Sequence, residues 1–254
     1  MSPRPIPRSF FARPADAVAP ALLGLILRRT LPDGRAIAGR IVEAEAYLGP
    51  EDRASHAFNN RRTPRNEAMY SRPGTCYVYF TYGMHFMCNV ACLREGHPAA
   101  VLIRAIEPLE GLDAIREARP AISRDRDLCN GPGKLCQALR IDRDLNAIDL
   151  TSDARLCIGE SCEAKPITAA DIAVSPRIGV DPAGEPWAGA PLRWFVRGNP
   201  HVSPGRPSGS PAPPSPLKSK QNRLARPIQA TDNRSSRRHR TERPNERPYE
   251  RPDG

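Results

Sequence analysis

The residues best equipped for chemistry lie between Arg40 and Tyr47, in the run Arg-Ile-Val-Glu-Ala-Glu-Ala-Tyr. On a strand, alternate side chains share a face, so Glu43, Glu45 and Tyr47 fall on one side and Ala44 and Ala46 on the other. A carboxylate is thereby set beside a phenol ring on a rigid element. Such a pairing suits a site that grips a flat ring and takes a proton from a water next to it. The same pattern also fits glutamates on the solvent side of an amphipathic strand. Glu51 and Asp52 follow closely, so the paired carboxylates of a glycosidase are a second chemistry open at this point.

A second informative run, Gly74 to Cys92, reads as two strands folded about Tyr82-Gly83. Tyr77, Tyr79 and Thr81 share one face, and Val78 and Phe80 the other. Tyr82 then stands at the turn, either folded back onto the sheet or presented to a partner. Ala99 to Ile106 is a buried type of strand interrupted by Arg104, whose guanidinium requires a carboxylate; Glu43, Glu45 and Glu107 are the candidates. Gly131 to Leu139 is a glycine-flanked helix start carrying Lys134, able to hold a phosphate through its free N–H groups. It lacks the spacing of a nucleotide P-loop. The lysines are Lys134, Lys165, Lys218 and Lys220, none within the aromatic runs, which disfavours Schiff-base chemistry.

These groups need a sheet to hold them. Two apolar runs, Leu25 to Leu31 and Arg35 to Tyr47, flank Asp33-Gly34, a strong hairpin signal. A helix is expected over Arg13 to Leu23, broken or restarted at Pro20. Another is expected from Pro108 to Arg119, opened by its proline. Residues 53–73 read as an ordered polar loop carrying His56 and the basic cluster Arg61, Arg62, Arg65 and Arg72. Short strands are predicted at Arg155 to Ile158, Pro176 to Val180 and Pro191 to Val196. The sum is an α+β fold: one compact domain with a curved, mainly antiparallel sheet, a protruding β-hairpin and flanking helices.

The formal charge of +10 over 254 residues points to a polyanionic partner. From Pro204 onward, twelve basic and five acidic residues leave a net +7 in a run with ten prolines. That composition cannot build a core, so 204–254 is expected to be a disordered basic tail, 1–9 a disordered start, and 10–203 the folded domain. Seven cysteines without Cys-x-x-Cys spacing imply reduced, mostly buried thiols. The five histidines show no ligand spacing either, so no metal and no cofactor is expected. Without an apolar run near 18 residues or a signal-type start, the sequence reads as a soluble, monomeric, cytoplasmic protein with no membrane contact, nucleoid-associated if bacterial.

Several blocks in series resemble the alkyladenine, or 3-methyladenine, DNA glycosylases. They are Ile41 to Asp52, Thr63-Pro64-Arg65-Asn66, Pro73 to Tyr79, Tyr82-Gly83-Met84, Asn89, Arg104 to Gly111, Gly131 to Leu139 and Arg177 to Val180. The resemblance covers roughly Phe10 to Ser203. It implies a monofunctional base-excision enzyme acting on double-stranded DNA that contains alkylated or deaminated purines, of the 3-methyladenine, 7-methylguanine and hypoxanthine class. By position, Glu45 resembles the general base that activates water. Arg104 and the carbonyl of Ile178 resemble the groups that hold that water. Tyr47, Ala54, His56 and Tyr79 resemble the base pocket, with Asn89 obstructing the 2-amino group of guanine. Tyr82, with Met84, is similar to the wedge pushed into the duplex, and Arg61, Thr63, Arg65, Gly131 and Lys134 are similar to contacts with the DNA backbone.

Those implied roles have independent physical sense. A base within a duplex cannot present its glycosidic bond to water, so it must be extruded and the gap filled. Methylation at N3 of adenine or N7 of guanine makes the ring cationic, and an aromatic slot favours a cation by about 0.5–2 kcal/mol. On the residues alone two rivals stand: another glycoside or nucleoside hydrolase, and a non-catalytic nucleic-acid binder that uses Tyr82 and the arginines.

Overall fold

The computed structural model describes residues 3–81, 83–161 and 166–205. Tyr82, Cys162 and the basic tail from residue 206 onward lie outside them. The start of the chain is ordered from Pro3, where its composition predicted disorder: strand β1 (Arg4–Pro5) pairs with Glu160 and Gly159, and Ile6 is buried. Helices α1 (Arg8–Phe11) and α2 (Ala15–Leu22) follow. The expected break at Pro20 does not occur. Pro20 sits in the last turn of α2, where it forfeits one helical hydrogen bond, and Val18, Ala19 and Leu22 are buried.

The remaining elements are β2 (Ile26–Thr30), β3 (Ala36–Tyr47), β4 (Cys76–Thr81), β5 (His85–Cys92), β6 (Ala99–Glu110), α3 (Leu112–Ala118), α4 (Pro132–Ala138), β7 (Leu156–Glu160), β8 (Ile172–Ser175) and β9 (Arg193–Val196). Every strand pair is antiparallel, in the order β1-β7-β2-β3-β6-β5-β4. Strand β3 is the hub. Its first half pairs with β2 across the Asp33-Gly34 turn, and Glu43 to Glu45 pair with Phe195 to Arg193 of β9, which carries β8 on its other side.

The long β3–β6 ladder is irregular where the chemistry sits. Ile41 faces Ile106 and Glu43 faces Ala105, so Val42 is an extra residue; Ala44 then faces Ile103, leaving Arg104 as the extra residue of β6. Such bulges bend a strand and re-aim side chains. From Glu43 onward the two-residue alternation holds, with Ala44 and Ala46 in the core.

Two expected elements are displaced. The helix predicted from Pro108 starts at Leu112, because β6 continues to Glu110. Pro108 faces Gly39 at a register shift, a place where a missing N–H is tolerated. Gly111, at φ +76°, then turns the chain; a Cβ there would meet the Ala36 carbonyl at 2.3 Å. The strand predicted over Pro176 to Val180 is also absent. Strand β8 ends at Ser175, Pro176 has no N–H to give a ladder, the Arg177 side chain is wholly buried, and Gly179 takes φ +76°.

The main core joins α2, α3 and α4 to the inner face of the sheet through residues such as Phe11, Leu22, Ile41, Ile103, Ile115 and Leu135. A smaller cluster of Ala57, Met69, Tyr70, Tyr77 and Ala100, with Tyr79 against it, supports the opposite face. Of the cysteines, Cys76, Cys88, Cys92, Cys129 and Cys136 are buried free thiols and Cys157 is half-buried. No described helix is long and apolar enough to cross a membrane.

Candidate active site

Glu43 and Glu45 do not face solvent; both are fully buried. Arg104, aimed by its bulge, joins them: its Nε donates to Glu43 Oε1 at 2.8 Å and a terminal nitrogen donates to Glu45 Oε2 at 3.1 Å. Glu107, the third candidate partner, lies 3.8 Å from Arg40 instead. Glu43 also accepts from Arg193 Nε and from the amide and hydroxyl of Ser203, each at 2.7 Å. Burial alone would push its carboxyl up, but Arg104, Arg193 and the Ser203 amide outweigh that and hold it below the usual range. Burial likewise works against the charge on Arg104, and Glu45 and Glu43 more than restore it.

Glu45 has a different set of partners. Its Oε2 also accepts from the Tyr47 hydroxyl at 3.1 Å, and its Oε1 accepts from the amide of Ile178 at 2.7 Å. This contact is made by the Ile178 N–H, a separate group from the carbonyl that the resemblance assigns to the water. Oε1 takes this single hydrogen bond among the described residues, which leaves it an acceptor direction. Burial first, and the Glu45 charge second, raise the Tyr47 phenol well above its ordinary value, so it stays a donor.

All three partners of Glu45, namely Tyr47, Arg104 and Ile178, line one cavity of about 330 Å³. Ala54, His56, Tyr79 and Asn89 line it too, so the expected pocket residues converge. The Tyr77 and Tyr79 rings lie 5.2 Å apart, and His56 meets Tyr79 edge-on at 4.5 Å. His56 Nδ1 is 2.8 Å from the Tyr77 hydroxyl. Loss of hydration, and then Arg65 and Arg61, lower the His56 pKa to about 4. His56 is an exposed residue and keeps part of its hydration, so the direction is what bears on function: a neutral imidazole at pH 7. Asn89 is fixed by donating to the Tyr77 carbonyl at 3.0 Å.

The residues expected at DNA surround this cavity less closely. Met84, at the hairpin tip, is 68% exposed, whereas Tyr82 lies outside the described residues. Arg61 and Arg65 are exposed on the 53–73 loop, where Thr63 is held by Asn66 Oδ1 at 2.7 Å. Arg65 donates to the Phe80 carbonyl at 3.1 Å and its guanidinium stands 5.3 Å over the Tyr79 ring. Gly131 precedes α4 and flanks Pro132, a cavity residue; Lys134 is drawn to Asn130 Oδ1 at 2.7 Å.

Several residues with evident work in the site had no role assigned from sequence, or, in the case of Asp52, only that of a possible glycosidase carboxylate. Asn66 is buried and donates to the carbonyls of His56 and Arg61 at 3.1 and 2.8 Å, tying the basic loop to the pocket. Arg193 and Ser203 complete the Glu43 network. Asp52 and Arg177 form a buried pair. Their sequence signal is a charged residue inside an otherwise apolar or loop-like block, which says that a partner exists but not which one. None of the described residues that line the cavity is a carboxylate: Glu45 lies behind the wall, as fully buried as Glu43 and Asp52, and differs from them in that Tyr47, Arg104 and Ile178, its hydrogen-bond partners, are all wall residues. The described residues hold no group of three His, Cys, Asp or Glu placed to share a metal ion.

The profile of the methylpurine-DNA glycosylase (MPG) family matches residues 9–200. The human DNA-3-methyladenine glycosylase is 48% identical over 202 residues, spanning 76% of this chain and 66% of the human protein. The mouse protein of the same name is 46% identical and 60% covered. A putative 3-methyladenine DNA glycosylase of Burkholderia orbicola (strain MC0-3) is 48% identical over 204 residues, with 80% of this chain and 92% of that protein covered. The chain thus spans under two thirds of the length of these mammalian relatives, at 66% and 60%, and most of the bacterial one, at 92%.

Proposed function

The chain belongs to the methylpurine-DNA glycosylase family, and from that premise we propose that it excises alkylated and deaminated purines from double-stranded DNA by hydrolysing their N-glycosidic bonds. The observation that carries this reading is a single buried carboxylate, Glu45, whose three hydrogen-bond partners all belong to the wall of one ring-lined cavity. In this reading 10–203 is the glycosylase domain, acting as a monomer, and 204–254 is a basic tether that adds a salt-sensitive hold on phosphates.

The target purine is rotated out of the stack into the cavity, between Tyr47 on one side and Tyr79 with His56 on the other. Tyr82, assisted by the exposed Met84, fills the vacated space in the duplex, and Arg61, Thr63, Arg65, Gly131 and Lys134 hold the backbone. A water enters beside Glu45 Oε1, steadied by Arg104 and the Ile178 carbonyl. As its oxygen attacks C1′ of the sugar, Glu45 accepts its proton and the C1′–N bond breaks toward the base. A purine methylated at N3 or N7 arrives cationic and departs neutral, so it needs little further help. Hypoxanthine departs with the bond's electron pair, and here a neutral His56 supplies an N–H to the leaving ring rather than a full proton.

Asn89, fixed by its bond to the Tyr77 carbonyl, obstructs the exocyclic 2-amino group and so disfavours guanine. The absence of a lyase step is supported by the lysine distribution: Lys134 is the one lysine among the described residues, and it is bonded to Asn130 outside the cavity wall. The test is product analysis on duplexes carrying 3-methyladenine, 7-methylguanine or hypoxanthine. The expected products are the free base and an abasic strand that stays intact until treated with alkali. Release of no base from any of these duplexes, or direct strand scission, contradicts the proposal.

A further inference from the structure

The Asp52–Arg177 pair lies outside the cavity wall, and both residues are fully buried. Arg177 spans Asp52 with two bonds, 2.5 Å to Oδ2 and 2.9 Å to Oδ1. It also donates to the carbonyl of Ala46 at 3.0 Å and to that of Trp187 at 3.3 Å. Its guanidinium is 4.8 Å from the centre of the Tyr47 ring. Asp52 in turn accepts from the amides of Leu48 at 3.1 Å and Ala54 at 3.0 Å.

Those contacts reach three separate stretches of chain that build the cavity. Ala46 and Leu48 bracket Tyr47 at the end of β3. Ala54 opens the loop segment that presents Ser55 and His56. Arg177 itself immediately precedes Ile178, whose amide meets Glu45 at 2.7 Å. One planar guanidinium therefore fixes the phenol wall, the imidazole-bearing loop and the donor on the reactive carboxylate. A lysine could keep the charge but neither the bidentate geometry nor the stacking.

We propose that the Asp52–Arg177 pair is the positioning device of the active site, setting the relative placement of Tyr47, His56 and the Ile178 amide on which the rate of base excision depends. The inference rests on the hydrolytic reading above, and it goes further by assigning the rate to a pair that touches neither substrate nor water. Displacement of a reacting group by about 1 Å is able to cost on the order of a hundredfold in rate. Binding of a duplex whose lesion has already lost its base depends on the rim and the hairpin, not on this pair.

The test uses Arg177→Lys and Asp52→Asn, with Arg177→Met and the double variant Asp52→Asn/Arg177→Met as companions. Single-turnover excision is measured at saturating enzyme, with the competent fraction titrated on a duplex containing a stable abasic-site analogue. Each single variant is expected to lose roughly tenfold to a hundredfold in rate per competent molecule. Its dissociation constant for the abasic duplex should stay within about threefold of the parent's, and the double variant should be no slower than the worse single one. Rates per competent molecule within about twofold of the parent overturn the inference and leave the pair a stabiliser of the fold. So does failure of every variant to fold. An inactive parent would instead remove the hydrolytic reading, so the two failures are distinguishable.

Discussion

Replacing Glu43 by alanine removes the acceptor at the centre of the buried network behind the site, and the structure fixes what is then left unpaired. Four hydrogen bonds disappear, to Arg104, Arg193, and the amide and hydroxyl of Ser203. Arg104 keeps Glu45, whereas among the described residues Arg193 keeps only the Ser175 hydroxyl at 2.9 Å and the Phe195 ring at 4.4 Å. Removing one partner of a buried ion pair costs about 3–5 kcal/mol, a large part of the roughly 5–15 kcal/mol that holds a typical domain. At about 2–4 °C per kcal/mol for a domain of this size, the melting temperature should drop by about 6–20 °C. Because the folded-state pKa of Glu43 is depressed, its contribution is present above the ordinary carboxylate value and is lost as pH falls through the folded one. Urea unfolding of parent and variant at pH 7, repeated in acid, checks both points. A loss under about 1 kcal/mol at pH 7, or a gap that widens on acidification, would refute the reasoning.

Two further outcomes follow from charges around the cavity. Both aromatic walls already carry an arginine, Arg177 at 4.8 Å from Tyr47 and Arg65 at 5.3 Å from Tyr79, so the rings are less free to favour a cationic base than two bare phenols. Arg65→Gln should therefore raise the ratio of 7-methylguanine to hypoxanthine excision by about twofold to fivefold, and an equal loss for both lesions would mean that Arg65 only holds phosphate. His56 should titrate in NMR well below its ordinary 6.5. Its stability contribution is then present above 6.5 and lost as pH falls through the folded value near 4, whereas a midpoint at or above 6.5 would contradict the neutral-donor role.

What could be read from sequence was local. Asp33-Gly34 specifies its hairpin through backbone preference alone, and the two-residue alternation places Glu43, Glu45 and Tyr47 together without reference to any other strand. The aromatic run on β4 is legible for the same reason. What could not be read depends on distant partners. Pro176 to Val180 has the composition of a strand, but Arg177 is drawn inward by Asp52, 125 residues earlier, and the segment becomes a loop. Nor does any local signal announce that Glu43 is enclosed by Arg193 and Ser203, 150 and 160 residues away. The bulge that aims Arg104 leaves no trace either: Val42 is an ordinary strand residue, the charge of Arg104 announces a partner but not an irregularity, and the extra position exists only in the pairing. Pro108 misleads because it is acceptable both at a helix start and at a sheet irregularity, and only the continuation of β6 decides.

Glu45→Gln keeps the size of the side chain and an acceptor oxygen while removing the ability to take a proton, so it isolates the central claim. Single-turnover excision of 7-methylguanine from a defined duplex should fall by about a hundredfold or more, the usual worth of a general base, while the folded variant still binds that duplex. A rate within about threefold of the parent's would show that the proton goes elsewhere and that Glu45 is not the base.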